Sequence, residues 1–415
     1  MRQVAIVGVG MTKFGTSQKT QVEMFAEAAT DAINESNLEL RNIQAVYVGN
    51  ADGNIEEGQS VIAPMCAADI GLRGLPATRF EGACSSGTIA IINAFTWVAS
   101  GLYDIVLAGG TERQRIMSTP LATRVMGMGV HSQYETPTGL SFPGIFAMMA
   151  HLYAKKYGIP LPKLKEAMAK VAIKAHKNGA KNPKAQFQFT IRDRMAKLQD
   201  DAKAKGKSVP AWQDELEFLS DLEANPMVAS PLQVFDCCPI SDGAAAVLVT
   251  SAEIAKKLTN KPVLIVGIGQ GSSGSICSQK DITRIPARES SAKHAYDMAG
   301  LTPKDIDVCE LHDCFTIAEI VASEGLGFFE PSDGYKAVLR GDTDIGGRIP
   351  INPSGGIKAK GHPVGATGAA QVYEIVRQLR GECGPRQVEE AKIGMTDTMG
   401  GSFASIAHII MRRGW

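Results

Sequence analysis

Gln3-Val4-Ala5-Ile6-Val7-Gly8-Val9-Gly10 returns later in the chain as Pro262-Val263-Leu264-Ile265-Val266-Gly267-Ile268-Gly269. Each run is rich in β-branched residues and ends on glycine, which reads as a buried strand. A second pair of matching strands follows, at 43–49 in the first half and 306–312 in the second. Helical patterns lie between the paired strands, at 21–36 and 289–299. Further on, each half carries a helix closed by glycine, from Cys84 to Ser100 before Gly101 and from Pro363 to Arg380 before Gly381. Glycine just past a helix end is the usual left-handed cap. Strands follow at 104–109, 244–250, 389–396 and 402–411.

Strands alternating with helices predict a layered α/β architecture. The repetition predicts two similar halves, 1–115 plus 236–252 and 262–415. The intervening 116–235 is helical, Lys-rich and Met-rich, and reads as an excursion from the first half. Its most charged part, 188–225, is either a solvated helical surface or a lid or partner-binding face. The helix Thr88-Ile89-Ala90-Ile91-Ile92-Asn93-Ala94-Phe95 is apolar nearly all round, which predicts burial.

Composition narrows the function. The 43 basic and 43 acidic residues cancel, so no net charge favours nucleic acid or an anionic membrane. No run reaches the roughly 20 continuous apolar residues of a membrane span. The first strand begins at once, and no targeting signal ends the chain at Met411-Arg412-Arg413-Gly414-Trp415. The expectation is a cytoplasmic protein. None of the eight cysteines forms a C-x-x-C pair, so no structural metal site is expected.

Four segments offer chemistry. Glu81-Gly82-Ala83-Cys84-Ser85-Ser86-Gly87 puts a cysteine at a strand-to-helix junction, where unpaired N–H groups favour a thiolate. Lys360-Gly361-His362-Pro363-Val364-Gly365 puts a histidine at the equivalent mouth in the second half, with proline at the first helical position. If the halves pack about a pseudo-twofold axis, the two mouths share one cleft and supply a thiol with a base. His312-Asp313-Cys314-Phe315 follows a strand end, where α/β folds build sites. Asp397-Thr398-Met399-Gly400-Gly401-Ser402 joins two strands, and its N–H groups suit an oxyanion. A fifth segment, Gly269-Gln270-Gly271-Ser272-Ser273-Gly274, matches G-x-G-x-x-G, but no apolar helical stripe follows it, so dinucleotide binding is not expected.

Taken in order and in duplicated context, Gly82-Ala83-Cys84-Ser85-Ser86-Gly87, Asp242-Gly243-Ala244-Ala245-Ala246 and Gly361-His362-Pro363 resemble the thiolase superfamily over nearly the whole chain. Many thiolases carry Asn-Glu-Ala-Phe where this chain has His312-Asp313-Cys314-Phe315, and a Cys-x-Gly where it has Asp397 and Met399. This combination resembles the sterol-carrier-protein-2 type and the archaeal acetoacetyl-CoA type. The stretch from His176 to Phe187 looks like the same group, and benzoylsuccinyl-CoA thiolases are one possible home within it.

The resemblance implies a thiolase fold, two βαβαβαββ halves in a five-layered α-β-α-β-α sandwich with a helical loop domain. It implies an acyltransferase that works through an acyl-cysteine, with coenzyme A as substrate and no covalently bound cofactor. Cys84 would be the nucleophile, His362 its base, Cys314 the second thiol and His312 an enolate donor. Met399, Gly400, Gly401 and Cys238 would surround the oxyanion and substrate. Cys383 would lie in an exposed turn far from the chemistry. A homodimer or larger oligomer is implied, paired through a sheet edge expected at 104–109. So is a small zinc-ribbon and OB-fold partner that helps bind acyl-CoA. Two rival readings are a partner-dependent aldolase of the same fold and a non-catalytic acyl-CoA-binding or lipid-binding scaffold.

Overall fold

The computed structural model describes residues 1–415. The first half contains β1 (Val4–Met11), α1 (Gln21–Ser36), β2 (Ala45–Gly49), β3 (Ala77–Phe80), α2 (Ser86–Ser100) and β4 (Ile105–Arg113). The chain then passes through α3 (Phe142–Tyr157) and α4 (Leu161–Gly179) before returning as β5 (Asp242–Ser251). The second half contains β6 (Val263–Ser272), α5 (Pro286–Ala299), β7 (Val308–Glu310), α6 (Thr316–Gly325), α7 (Thr367–Arg380), β8 (Ile393–Gly400) and β9 (Ser405–Arg413).

The strands lie side by side in the order β3-β2-β4-β5-β1-β6-β9-β8-β7. The first five and the last four have the same internal order. A parallel bridge from Cys309 to Ile351 adds the place that β3 fills in the first half. The halves join where Val4–Ile6 of β1 pairs antiparallel with Val263–Ile265 of β6.

Alternation along the strands assigns each face to a helical layer. Ala5, Val7, Val46, Val48 and Leu107 point outward and bury Met24, Phe25 and Ala28 of α1. Ile6, Val106, Val247 and Ile409 point inward onto α2 and α7, which lie together between the two sheets. Cys309, Met395 and Ile410 face outward again and cover Ala295 and Tyr296 of α5. The order is helix, sheet, paired helices, sheet, helix: the five-layered α/β sandwich.

The helix over Ala83–Ser100 is long and apolar enough to cross a membrane by length and composition. Its place in the middle layer gives the physical reason for that composition, since two thirds of the window is buried in protein and only residues near its C-terminal end, such as Thr96 and Trp97, are exposed. In the 188–225 segment, a helix at Ile191–Ala204 buries Ile191 and Met195 against Phe218 and Leu219 and turns its charged residues outward. Strand β6 runs on to Ser272, only a single 3-10 turn at Ile276–Ser278 follows, and no α-helix opens until Pro286, so Gly269–Gly274 lacks the strand-turn-helix of a dinucleotide fingerprint.

Two expectations are corrected. Strand β4 is not an edge: it lies between β2 and β5, and the exposed edge of the first sheet is β3. The sequence signal at 104–109 was a well-formed apolar strand, and such a strand belongs inside a sheet. Cys383 is buried rather than exposed, because the short turn after α7 folds back under Gln387, whose Oε1 accepts the Cys383 N–H at 3.1 Å.

The second sheet is pinned to α5 by a buried ion pair. Arg288 Nε donates to Asp397 Oδ1 at 2.9 Å and its Nη2 to Oδ2 at 3.3 Å, with both side chains essentially inaccessible. Asp397→Ala would leave a buried guanidinium uncompensated and should cost about 3–5 kcal/mol. Urea unfolding is the check. Arg288→Met combined with Asp397→Leu should recover most of the loss, and an unchanged midpoint in Asp397→Ala would show that the pair carries no stability.

Candidate active site

Cys84 stands in a tight turn that opens α2. After β3 the backbone passes Gly82 and enters Ala83 at φ +50°, a left-handed conformation that costs an L-residue about 1–2 kcal/mol. Small polar neighbours hold this strained turn. Ser86 Oγ donates to Ala83 O at 2.6 Å and accepts from Gly82 N at 3.0 Å, while Ser85 Oγ donates to Gly82 O at 2.6 Å. Burial, then Cys238 and the carboxyl groups of Asp52 and Glu112, push the Cys84 thiol well above its ordinary range. The resting group is a neutral thiol that needs a base.

His362 supplies the base geometry. Its backbone N–H donates to Ser241 Oγ at 2.8 Å, and Ser241 in turn donates to Gln186. Its Nδ1 lies 2.7 Å from Thr367 Oγ1, and the Thr367 hydroxyl donates its one proton to Pro363 O at 2.9 Å. Thr367 therefore accepts from Nδ1–H, which assigns the ring to the tautomer with a free lone pair on Nε2. Burial lowers the His362 pKa to about 4, so the ring is neutral at physiological pH. The mouth of α7 is fixed from the other half by Glu112, whose carboxylate accepts from Gly365 N at 2.9 Å and Ala51 N at 2.8 Å.

His312 completes the cluster. Its ring centroid is 5.3 Å from that of His362, at 76° to it, and ligand atoms of Cys84, His312 and His362 all lie within 4.8 Å of one another. Burial, then His362 and Arg288, lower the His312 pKa well below its usual value, and its Nδ1 is buried without a partner. Its backbone N–H donates to Asp397 Oδ2 at 3.3 Å, so the Arg288–Asp397 pair also holds this loop. Asp313 ties the loop to the segment before His362 by accepting from Ile357 N at 2.7 Å.

Cys314 is buried beside the cluster at the start of α6. Cys238 N donates to Cys314 O at 2.9 Å, so the two residues lie on paired backbones. After burial, Cys238 is the strongest influence raising both the Cys84 and the Cys314 thiols. Burial pushes Cys238 itself up to about 12.

Gly400 lies against the Cys84 turn. A Cβ there would stand 2.1 Å from Gly82 O and 3.0 Å from Cys84 N, so only glycine brings this backbone so close. Gly401 turns away at φ +63° and, with Gly400, borders a cavity of about 390 Å³ on the Glu81–Ala83 side. The Met399 side chain points elsewhere: its Sδ meets Arg288 Nη2 at 3.3 Å.

All eight site residues named from the sequence thus have a place. Cys84, His312 and His362 converge, Cys238 and Cys314 adjoin them, and the 399–401 backbone flanks the Cys84 turn. Sequence reasoning missed Thr367, Ser241, Gln186, Glu112 and Arg288. Thr367 lies five residues from His362 in the same helix mouth, and the others act through contacts across the fold.

Comparison with known proteins gives the family of both halves. The Thiolase, N-terminal domain family matches residues 4–253, and the Thiolase C-terminal domain-like family matches residues 269–413. An acetyl-CoA acetyltransferase of Methanothermobacter thermautotrophicus is 40% identical, over 99% of this chain and 100% of that protein. The benzoylsuccinyl-CoA thiolase subunit BbsB of Thauera aromatica is 33% identical, over 96% of this chain and 95% of its own. The solved Ltp2-ChsH2(DUF35) aldolase superposes with a TM-score of 0.78 at 25% identity, covering 99% of this chain and 98% of that one. With family matches across both halves and full-length relatives, the chain belongs to the thiolase family and is an acyltransferase.

Proposed function

We propose that Cys84 carries the acyl group while a carbon–carbon bond is made or broken next to a coenzyme A thioester. The observation that carries this reading is the convergence of Cys84, His312 and His362 within 4.8 Å. In the cleavage direction, Cys84 Sγ attacks the 3-oxo carbonyl of a 3-oxoacyl-CoA and its proton passes to His362 Nε2. The bond to the neighbouring carbon breaks, and its electron pair leaves as the enolate of the shorter acyl-CoA. Cys314 protonates that carbon. Coenzyme A then attacks the thioester on Cys84, with the Cys314 thiolate taking its proton; the Cys84 S–C bond breaks and the sulfur recovers its proton from His362.

His312 and His362 are donors for the enolate oxygen, and the N–H groups of Cys84 and Gly400 for the thioester oxygen. Such donors gain strength as charge develops in a dry site, and losing one costs about a hundredfold or more. The substrate we favour is acetoacetyl-CoA, supported by the acetyl-CoA acetyltransferase relatives. Benzoylsuccinyl-CoA is the second candidate, supported by BbsB. The structural neighbour is named an aldolase, but that chemistry would leave Cys84, Cys314 and the His362 tautomer without a task.

We further propose a homodimer paired through β3, whose residues are only partly covered within one chain. A small acyl-CoA-binding subunit of the zinc-ribbon and OB-fold kind fits the naming of BbsB as a subunit and of the neighbour as a DUF35 complex.

Mass spectrometry after incubation with acetoacetyl-CoA should find one acetyl group, on Cys84. Cys84→Ser should hold none and turn over nothing, because a serine hydroxyl beside His362 stays un-ionised. An adduct on another cysteine of the wild type would overturn the assignment. Cys314→Ala should still acylate Cys84 yet lose turnover by about a hundredfold or more. Cys383→Ala should keep its rate, since α7 separates that residue from the helix mouth by about 1.5 Å per residue over 14 residues. The reverse pattern would reject Cys314 as the second thiol. Light scattering should give at least twice the 44.1 kDa of one chain, and Ala77→Pro, which removes an outward-facing edge N–H, should lower that mass. A wild-type monomer at micromolar concentration would refute the pairing.

A further inference from the structure

The cluster that serves the acyl chemistry has a second property. Cys84, His312 and His362 offer one sulfur and two imidazole nitrogens within 4.8 Å of one another. This is the donor set of a tetrahedral zinc-class ion, and no acidic oxygen lies among the three donors to favour a hard cation instead. We propose that the cluster binds one divalent ion of the zinc class, in competition with the acyl substrate.

The geometry is close to what such an ion needs. Bond lengths of about 2.3 Å to sulfur and 2.0 Å to nitrogen put tetrahedral donors about 3.3–3.6 Å apart. The present separations, within 4.8 Å, exceed this by at most about 1.5 Å, which a rotation of the Cys84 side chain and a tilt of one ring can close. The nitrogens are also ready. His362 Nδ1 is engaged by Thr367, which aims the lone pair of Nε2 away from it, the outer hydrogen bond that metal-bound histidines usually have. His312 Nδ1 is buried and has no hydrogen-bond partner in the protein.

The three ligands sit on segments held by other parts of the fold: the Ser85–Ser86 turn, the loop bonded to Asp397, and the α7 mouth bonded to Glu112. Binding replaces the Cys84 S–H bond with an S–metal bond and releases the proton to solvent. The fourth position is left to water. The sulfur lone pair that would attack a carbonyl is then engaged, so a loaded site cannot take an acyl group. Only this competition rests on the thiolase reading; the binding itself does not.

The test uses the full chain, freed of metal by a chelator and kept without thiol reductant. Displacement of Zn²⁺ from a chromogenic chelator should give one ion per chain. X-ray absorption at the zinc edge should show one sulfur and two imidazole ligands. Alkylation of Cys84 by iodoacetamide should slow by about tenfold or more, thiolysis of acetoacetyl-CoA should fall in step with occupancy, and chelator should restore both. Cys84→Ser and His312→Ala should weaken binding by about tenfold or more, whereas Cys277→Ser, at an exposed cysteine, should leave it unchanged. The absorption spectrum of the wild type decides the matter if a variant does not fold. Absence of stoichiometric binding, a spectrum without the sulfur ligand, or unslowed alkylation of Cys84 would overturn the site. Full-rate thiolysis by the zinc-loaded chain would overturn the competition. A chain that binds zinc at Cys84 yet never thiolyses acetoacetyl-CoA would uphold the site and count against that substrate.

Discussion

The active site depends on how closely two helix mouths approach one another. Glycine makes the contact. A Cβ on Gly87 would stand 2.7 Å from Gly365 O, and one on Gly368 would stand 2.0 Å from Thr88 Oγ1. Real side-chain carbons do not come so near, so any larger residue would push α2 and α7 apart. Cys84 precedes one mouth and His362 the other, and their separation is set by this glycine contact. Glu112 reinforces it by holding Gly365 from the opposite half. The sheets provide the frame, but the reacting atoms meet because the backbones of two central helices touch at their N-terminal ends.

The same packing explains the electrostatics. Burial lowers His312 and His362 and raises Cys84 and Cys314. Every one of these shifts favours the uncharged form. The resting cluster is therefore neutral, and charge arises only when a proton moves from sulfur to ring. In a dry site such a pair is poorly solvated, and it is best tolerated when a substrate carbonyl at once takes the sulfur's electrons. Reactivity is thereby tied to the presence of substrate.

How legible this was from sequence follows the physics of each part. The duplicated strand at 3–10 and 262–269 is local, and so are the glycine caps at Gly101 and Gly381, so the α/β repeat could be read directly. Cys84, His312, Cys314 and His362 were visible because each stands at the end of a strand or the mouth of a helix. The edge at β3 was not visible: its four residues, Ala77-Thr78-Arg79-Phe80, make a weak strand signal, while the strong one at 104–109 belongs to an interior position. Thr367 was not visible either. A threonine in the first turn of a helix is ordinary, and its role in fixing the His362 tautomer exists only once the ring lies 2.7 Å away. Asp397 and Arg288 are far apart in sequence and had no pattern to connect them.

The order of strands also bears on synthesis. Strand β5 lies between β4 and β1 and pairs with both, yet it is made only after α3 and α4. Until residue 251 has left the ribosome, the first sheet has a gap at its centre, with two apolar strands facing each other across it. Closing that gap requires a long-range contact, which forms slowly. The emerging chain therefore carries unpaired strand edges through a long stretch of translation, the condition in which nascent proteins aggregate or need a chaperone. A fragment ending at residue 115 would keep those edges permanently, so the first half, though it has its own helices and strands, cannot complete its sheet until the excursion has been made.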